Sequence, residues 1–333
     1  INNNNYKGVI NMNNFKKVGL TALAGSLIAT SAFAGSMSVS GGADISLVND
    51  SNHDRGNAFS SGDSLNFSGT AELDNGLTVT SKVEIDGGTY DDRSVVISGD
   101  GMGTLTFQQS GSTAMSAVDD VMPTAYDSSW DVLAQGATST TKTAGQATKE
   151  GAIGGFTTGN NFFYTAPSMV DGVNLNLSYT PSGASRPDGT ISWAVEYTGV
   201  EGLTIGLAQD DNGLKGTSKL ETETMYAKYA IGSFTIGVQT SDQEQDGATT
   251  SDDEFSAHGI TYQVSDDLTI GYHASDREFG DKSAEEESKS IQAAYTQGGM
   301  TIKAQHVSMD NVGGSTAARD DIDGYKVSVS FAF

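Results

Sequence analysis

The segment GYKVSVSFAF, residues 324–333, decides the fold of this 333-residue chain. Its odd-numbered positions are all aromatic or β-branched, and glycine, lysine, serine and alanine alternate with them. A period of two predicts a β-strand with one apolar face and one polar face. A soluble β-sandwich could contain such a strand, but a strand whose apolar face meets lipid accounts better for a segment that ends on the bare ring of Phe333.

The composition agrees with strands that face lipid on one side and water on the other. Hydrophobic residues make up only 36% of the chain, which is low for a soluble domain of this size. The tyrosine, phenylalanine and valine residues are nevertheless too regularly placed for a disordered chain. A barrel with a water-filled interior satisfies both observations, because half of every strand then faces water. The absence of cysteine fits an exported protein that does not rely on disulfides.

The charge balance excludes one class of partner, and the histidine pattern argues against catalysis. The chain has 42 acidic and 18 basic residues, so it lacks the positive surface that nucleic-acid binding requires. Its four histidines have no metal-ligand spacing, and no nucleophile motif is found. The sequence therefore predicts neither an enzyme nor a tightly bound cofactor. Two acidic stretches, residues 252–254 and 285–287, either hold Ca²⁺ or Mg²⁺ loosely or are simply solvated.

Residues 1–34 have the features of a targeting segment. Two lysines, Lys16 and Lys17, precede an apolar run at residues 18–29, and Ala32-Phe33-Ala34 is a small-residue cleavage site. The apolar run is too short to cross a bilayer as a helix. We therefore predict a secretory signal cleaved after Ala34, preceded by an upstream extension at residues 1–11. Residues 35–333 are then a single outer-membrane β-barrel domain.

From residue 36 onward one pattern repeats: an alternating run, a turn and another alternating run. We count sixteen runs, five before a long interruption at residues 110–156 and eleven after it. Short turns such as Asp74–Gly76 alternate with longer polar loops such as residues 241–254. Short turns at one end, long loops at the other and an even strand count are typical of an all-β, antiparallel transmembrane barrel. Closure of the barrel also leaves no strand edge unpaired in lipid.

Several short stretches, taken in order, resemble the general diffusion porins of Gram-negative bacteria in their alphaproteobacterial form. These stretches are residues 73–78 (LDNGLT), 97–99 (ISG), 103–107 (GTLTF), 163–167 (FYTAP), 172–175 (GVNL), 178–181 (SYTP) and the terminal Phe333. The resemblance implies a homotrimer of sixteen-stranded barrels in the outer membrane, surrounded by lipid and lipopolysaccharide. It also implies that the third long loop folds into the lumen, and that Phe333 is the signal read by the barrel-insertion machinery.

The interruption at residues 110–156 is, by this resemblance, the constriction loop. It carries four carboxylates, which are Asp119, Asp120, Asp127 and Asp131. Carboxylates beside a narrow water path create a negative potential that favours cations over anions. The alternative is that the segment is an external, solvated loop that happens to be acidic.

Strand periodicity selects four lysines as lumen-facing, and these are Lys82, Lys228, Lys303 and Lys326. Each alternates with apolar neighbours, and Lys82 shares its face with Glu84 and Asp86. The four lysines are candidates for a positive wall that faces the acidic loop. The alternative is that each lysine only wets the lumen.

Together these features predict a passive diffusion channel for small hydrophilic solutes and ions, with weak cation preference. A substrate-tuned porin remains open, because it would differ by only a few lumen side chains. The other alternative is a secreted adhesive or surface β protein, which would be found in the aqueous fraction rather than in membranes.

Deletion of Phe333 is expected to impair insertion into the outer membrane while leaving export intact, because the aromatic end of the last strand resembles the insertion signal. The amount of mature protein in the outer-membrane fraction tests this expectation. Normal outer-membrane levels of the truncated chain would contradict it.

Overall fold

A computed structural model describes residues 35–50, 58–109, 113–118, 121–130, 159–183, 187–247, 252–316 and 321–333. Within these ranges, sixteen antiparallel strands form one closed barrel, as the alternating sequence predicts. The strands are β1 (Ser36–Asp50), β2 (Ala58–Glu72), β3 (Thr78–Asp86), β4 (Thr89–Gly99), β5 (Gly103–Gln108), β6 (Asn161–Thr165), β7 (Val173–Thr180), β8 (Thr190–Val200), β9 (Leu203–Asp211), β10 (Leu220–Ile231), β11 (Phe234–Gln245), β12 (Asp253–Ser265), β13 (Leu268–Glu278), β14 (Glu286–Gln297), β15 (Met300–Asp310) and β16 (Ile322–Ala332).

Helical structure in the described residues is limited to three short 3₁₀ turns, at Ala114–Ala117, Gly216–Ser218 and Val312–Gly314. No helix in these parts of the chain has the length and apolar character needed to cross a membrane. The predicted signal segment, residues 1–34, lies outside the described residues, so its cleavage stays a prediction.

The barrel closes between its first and last strands. β1 pairs with β16 from Gly42 opposite Ala332 to Asp50 opposite Gly324. One further residue pair extends the seam, because the Gly41 amide donates to the Phe333 carbonyl (2.8 Å) and the Phe333 amide donates to the Gly41 carbonyl (3.0 Å). Phe333 therefore belongs to the closing seam of the barrel.

The strand faces are arranged opposite to those of a soluble protein. In β11, Gln239 is buried inside the barrel, whereas its neighbour Val238 is 59% exposed on the outside. In β16, Lys326 is buried whereas Phe331 is 44% exposed. Apolar residues outside and polar residues inside are expected when lipid surrounds the barrel and water fills it. The odd-numbered face of residues 324–333 is thus the outer face, as the sequence predicts.

The third connection on the long-loop side, between β5 and β6, is the long interruption found in the sequence. Its described parts, residues 113–118 and 121–130, contact lumen-facing residues of the strands from β7 to β16. The second connection on that side is much shorter, because Gly87 and Gly88 alone join β3 to β4. Both glycines have positive φ (53° and 80°), which other residues rarely adopt.

A buried ion pair and an amide hydrogen bond, both made by Asp253, stabilise the long-loop end of the barrel. The Arg277 guanidinium forms a buried ion pair with the Asp253 carboxylate at 2.7 Å and lies over the Phe279 ring at 4.9 Å. The other Asp253 oxygen accepts a hydrogen bond from the Gly280 amide at 3.2 Å. Asp253 in β12 therefore holds the start of the connection that follows β13.

Replacing Arg277 by methionine should destabilise the barrel by about 3–5 kcal/mol, because the Asp253 carboxylate loses its counter-charge while buried. Replacing Lys282, whose pair with Asp281 is exposed, should cost at most about 1 kcal/mol. Denaturant unfolding in detergent, followed by gel mobility, measures both values. Equal losses of stability in the two variants would show that burial of the Arg277 pair is unimportant.

Candidate functional site

The first described part of the inward loop lies against β7, β8 and β9. The amides of Ala114 and Met115 donate to the hydroxyls of Ser178 (2.9 Å) and Ser192 (3.0 Å). The Met115 side chain is fully buried among residues that include Ala194. Lumen-facing serines therefore satisfy the loop backbone, while small residues make room for its one long apolar side chain.

The second described part, residues 121–130, crosses the strands from β11 to β16. The Gln292 side-chain oxygen accepts hydrogen bonds from the amides of Ala125 (2.7 Å) and Tyr126 (2.9 Å), and its nitrogen donates to the Asp127 carbonyl (2.5 Å). The Asp127 amide donates to the Gln305 side-chain oxygen at 3.2 Å. Two glutamines on adjacent strands thus fix three consecutive loop residues.

Sequence reasoning did not select these glutamines. Gln292 and Gln305 both lie on the lumen-facing parity of their strands, which was the available signal. Their partners are backbone groups of a distant loop, however, and no sequence pattern reveals such contacts.

The far end of the segment is held by a mixed polar and aromatic cluster. The Ser129 amide donates to His273 Nδ1 at 3.2 Å, and the Ser129 hydroxyl shares a hydrogen bond with the Ser288 hydroxyl. The Trp130 ring packs edge-on against Phe255 and His273, with centroids 5.2 and 5.0 Å apart. Every side chain in this cluster is buried, so this end of the loop is part of the barrel core.

Three of the four predicted lumen lysines lie beneath this loop. The Lys326 ammonium forms an ion pair with the Asp127 carboxylate at 2.6 Å. Lys326 and Lys303 also lie over the Tyr126 ring, 4.9 and 5.4 Å from its centroid, at cation–π distance. Lys228 donates to the Val121 carbonyl at 3.4 Å. The loop therefore covers these ammonium groups with a carboxylate, a ring face and a carbonyl.

Tyr126 remains a neutral ring in this arrangement. Burial raises the pKa of its hydroxyl above the ordinary value, and this effect outweighs the opposing influence of Lys326. The ring face that the two lysines share is therefore that of a phenol rather than of a phenolate.

The fourth lysine, Lys82, lies on a different wall. It is exposed on the lumen face of β3, which also carries the exposed Asp86 and the half-buried Glu84. Of the predicted acidic residues, Asp127 is placed against Lys326, whereas Asp119, Asp120 and Asp131 lie outside the described residues. The structure thus brings Asp127 together with Lys326, and separates Lys82 from the other three lysines.

The wall formed by β1, β2 and β3 borders a polar cavity of about 510 Å³. Serines of β1, β2 and β16 line it, together with Asp63, which lies on the outer parity of β2, and three acidic residues on the lumen parity, namely Asp44, Glu84 and Asp86. The Glu84 carboxylate accepts a hydrogen bond from Asn66 at 3.2 Å, and the Asp44 carboxylate lies beside Gly62. Asp44 was not selected from the sequence, although its alternation with Ala43 and Ile45 marks it as lumen-facing. This wall, which we call the acidic wall, carries these three carboxylates and Lys82.

No group of three or more histidine, aspartate or glutamate side chains in the described part of the chain is arranged to hold a metal ion. The loose Ca²⁺ or Mg²⁺ binding predicted for the acidic outer loops therefore stays a prediction.

Replacing Lys326 by methionine should shift the selectivity of the pore toward cations, because the Asp127 carboxylate, 29% exposed, loses its ammonium partner. Reversal potentials in asymmetric KCl measure the shift, which should grow as salt is lowered. Adding Asp127→Asn should return the pore to near its original selectivity. Lys289→Met, which removes an exposed lysine from the outer face of β14, is the matched control and should change nothing. An unchanged reversal potential in the Lys326 variant would show that the pair does not face permeating ions.

Solved structures similar to this one are bacterial porins and outer-membrane proteins. A mutant of the Rhodobacter blastica porin has 18% sequence identity and a TM-score of 0.63. The anion-selective porin from Comamonas acidovorans has 14% identity and a TM-score of 0.66. A loop-deletion mutant of OmpT, an outer membrane protein of Vibrio cholerae, has 16% identity and a TM-score of 0.64. Each comparison covers 90% of this chain and 100% of the other chain. At these identities the likeness shows the fold alone.

Comparison of the sequence with models of known families identifies the family of this chain. No curated protein sequence matches the chain significantly. The sequence model of the Gram-negative porins, however, matches residues 19–315, which is most of the chain. The family and the fold both point to a channel rather than to an enzyme. The closed sixteen-stranded barrel, the loop inside it and the family match together show that this chain belongs to the Gram-negative porins, the channel-forming β-barrel proteins of the outer membrane.

Proposed function

We propose that the protein is a passive diffusion channel for small hydrophilic solutes and ions, with a weak preference for cations. The observation that carries the ion preference is the unequal covering of lumen charges. The loop covers Lys228, Lys303 and Lys326, whereas the carboxylates of the acidic wall border an open polar cavity. Among the described lumen residues, an ion that passes along the acidic wall therefore meets more carboxylates than ammonium groups.

Because salt screens distant charges, the charges nearest to the narrow part of the pore determine its ion preference. At physiological salt the potential of an exposed charge falls off over about 8–10 Å, so distant surface charges contribute little at the narrow part of the pore. Charges that line a cleft with low-dielectric walls act more strongly on passing ions than charges on an open surface. Lys326 contributes little net potential because Asp127 lies 2.6 Å away. Lys82 is then the main positive charge on the acidic wall.

The net charge of the chain is negative, as is the charge of the acidic wall. Residues 1–34 contain three lysines and no acidic residues, so their removal would leave 18 − 3 = 15 basic and 42 acidic residues. Many of the carboxylates lie at the long-loop end, where they would attract cations to the pore mouth. Barrel architecture alone does not set the sign, since the similar Comamonas acidovorans structure is that of an anion-selective porin.

The partners that we propose are those of an oligomeric outer-membrane protein, namely a homotrimer surrounded by lipid and lipopolysaccharide and assembled by the barrel-insertion machinery. The outer face of the barrel is suited to contact with lipid, because large apolar side chains such as Ile45, Leu105 and Phe107 are exposed on it. The two-residue connection between β3 and β4 is too short to reach far across a neighbouring barrel. We therefore expect any trimer to be held by its strand faces. Native mass measurement of the purified protein tests the oligomeric state.

Reversal potentials across a planar bilayer test the ion preference. The unmodified pore should favour K⁺ over Cl⁻, and the double variant Glu84→Gln/Asp86→Asn should lose much of that preference, most clearly at low salt. Neutralising Asp119 and Asp120 should also reduce the preference for K⁺. The sizes of the two reductions show whether the acidic wall or the loop contributes more to the ion preference. Lys82→Met should act in the opposite direction.

The control is the pair Asp74→Asn/Asp100→Asn, which neutralises two exposed turn carboxylates outside the lumen and should leave the potential unchanged. Anion preference in the unmodified pore would contradict the proposal.

A further inference from the structure

Three glycines lie under the inward loop on the lumen face of adjacent strands. Gly237 in β11 is directly opposite Gly259 in β12. Gly271 in β13 lies opposite Thr261, two residues along β12 from Gly259. The loop residues Pro123 and Ala125 lie directly against this set, which we call the glycine track.

The loop approaches Gly237 and Gly259 more closely than a side chain would allow, and it approaches Gly271 tightly. A β-carbon at Gly237 would lie 2.6 Å from Pro123 Cδ, and one at Gly259 would lie 2.5 Å from the Pro123 carbonyl oxygen. A β-carbon at Gly271 would lie 3.2 Å from the Ala125 amide nitrogen. Glycine weakens a strand interior and often marks a place where another backbone comes close. The three glycines are thus explained by the loop that lies on them.

The hydrogen bonds and the glycines control two different aspects of the loop's placement, namely its position along the wall and its distance from the wall. Gln292 and Gln305 bind its backbone and so fix its position along the wall. Their flexible side chains could follow a loop that moved toward the pore axis. The glycine track has no side chain to adjust, so direct contact with the strand backbone sets the depth of the loop.

We infer that Gly237, Gly259 and Gly271 determine the width of the pore, because they allow the described residues 121–130 of the loop to lie close against their wall and so to occupy less of the lumen. The inference rests on the proposed diffusion function but not on its ion preference. A β-carbon on the track moves Pro123 away from the wall, and the passage between the loop and the acidic wall becomes narrower.

Single-channel conductance tests the inference. Gly237→Ala and Gly259→Ala should each lower the conductance, and Gly271→Ala should lower it less, since its closest contact is longer. Gly42→Ala is the matched control, because Gly42 also faces the lumen, on β1, and a β-carbon there would make only ordinary contacts, the nearest at 3.4 Å. Conductance of the track variants equal to that of Gly42→Ala would overturn the inference.

A second substitution in the loop distinguishes displacement of Pro123 from general damage. At Gly237 the closest atom belongs to the Pro123 ring, whereas at Gly259 it is the Pro123 backbone oxygen. Adding Pro123→Ala should therefore restore conductance to Gly237→Ala but not to Gly259→Ala. Restoration in the Gly259 variant, or failure to restore the Gly237 variant, would contradict the inference.

Assembly and the channel function are checked separately. Each variant is compared by its amount in the outer membrane and by its heat-dependent gel mobility. Gly271→Ala, the mildest change, carries the test if a stronger variant does not assemble. An unmodified protein that forms no channel would refute the proposed function itself, whereas an open unmodified pore with unaffected track variants would refute only the role of the glycines.

Discussion

The structure depends on one constraint, which is that every backbone polar group within a membrane needs a partner. A sheet meets this constraint only when its first and last strands pair, because an open edge would leave amides and carbonyls without water or protein. β1 pairs with β16 from Gly42 to Asp50, and Gly41 and Phe333 add two more hydrogen bonds at the seam. Closure in turn creates the two surfaces of the protein, an apolar exterior and a polar interior.

The polar interior serves as a binding surface for the chain itself. The loop inside the lumen has backbone groups that need partners, and the wall supplies serine hydroxyls and glutamine amides at the required places. Because these wall groups bind the backbone of the loop, its path depends on wall residues more than on its own side chains. The chief exceptions are Asp127 with Lys326 and Trp130 with its aromatic neighbours. These hydrogen bonds fix the position of the loop along the wall, and the close approach of Pro123 to the glycine track sets its depth in the lumen.

The position of the loop also determines which charged side chains of the lumen it covers. The lysines under the loop lie against a carboxylate, a ring face or a carbonyl, and the Asp127 carboxylate supplies the counter-charge of Lys326. The wall that the described loop leaves uncovered carries carboxylates. Under the proposed function, the ion preference therefore depends on which wall of the lumen the described part of the loop occupies.

The sequence by itself determined the barrel. The alternation in residues 324–333 and in the fifteen other strands is a local property of side-chain direction, and so it predicts the strands, their number, their outward faces and the position of the long loop. It also selected Lys326 as a lumen-facing residue, whereas Asp127 was assigned to the constriction only by the family resemblance. What only the tertiary structure decided is how the lumen residues are arranged around the loop. Parity places a side chain inside the barrel, but it does not say which wall that side chain belongs to or what covers it. Lys82 and Lys326 have the same pattern in sequence, yet one is exposed and the other is buried against Asp127, because the described part of the loop crosses the wall that carries Lys326.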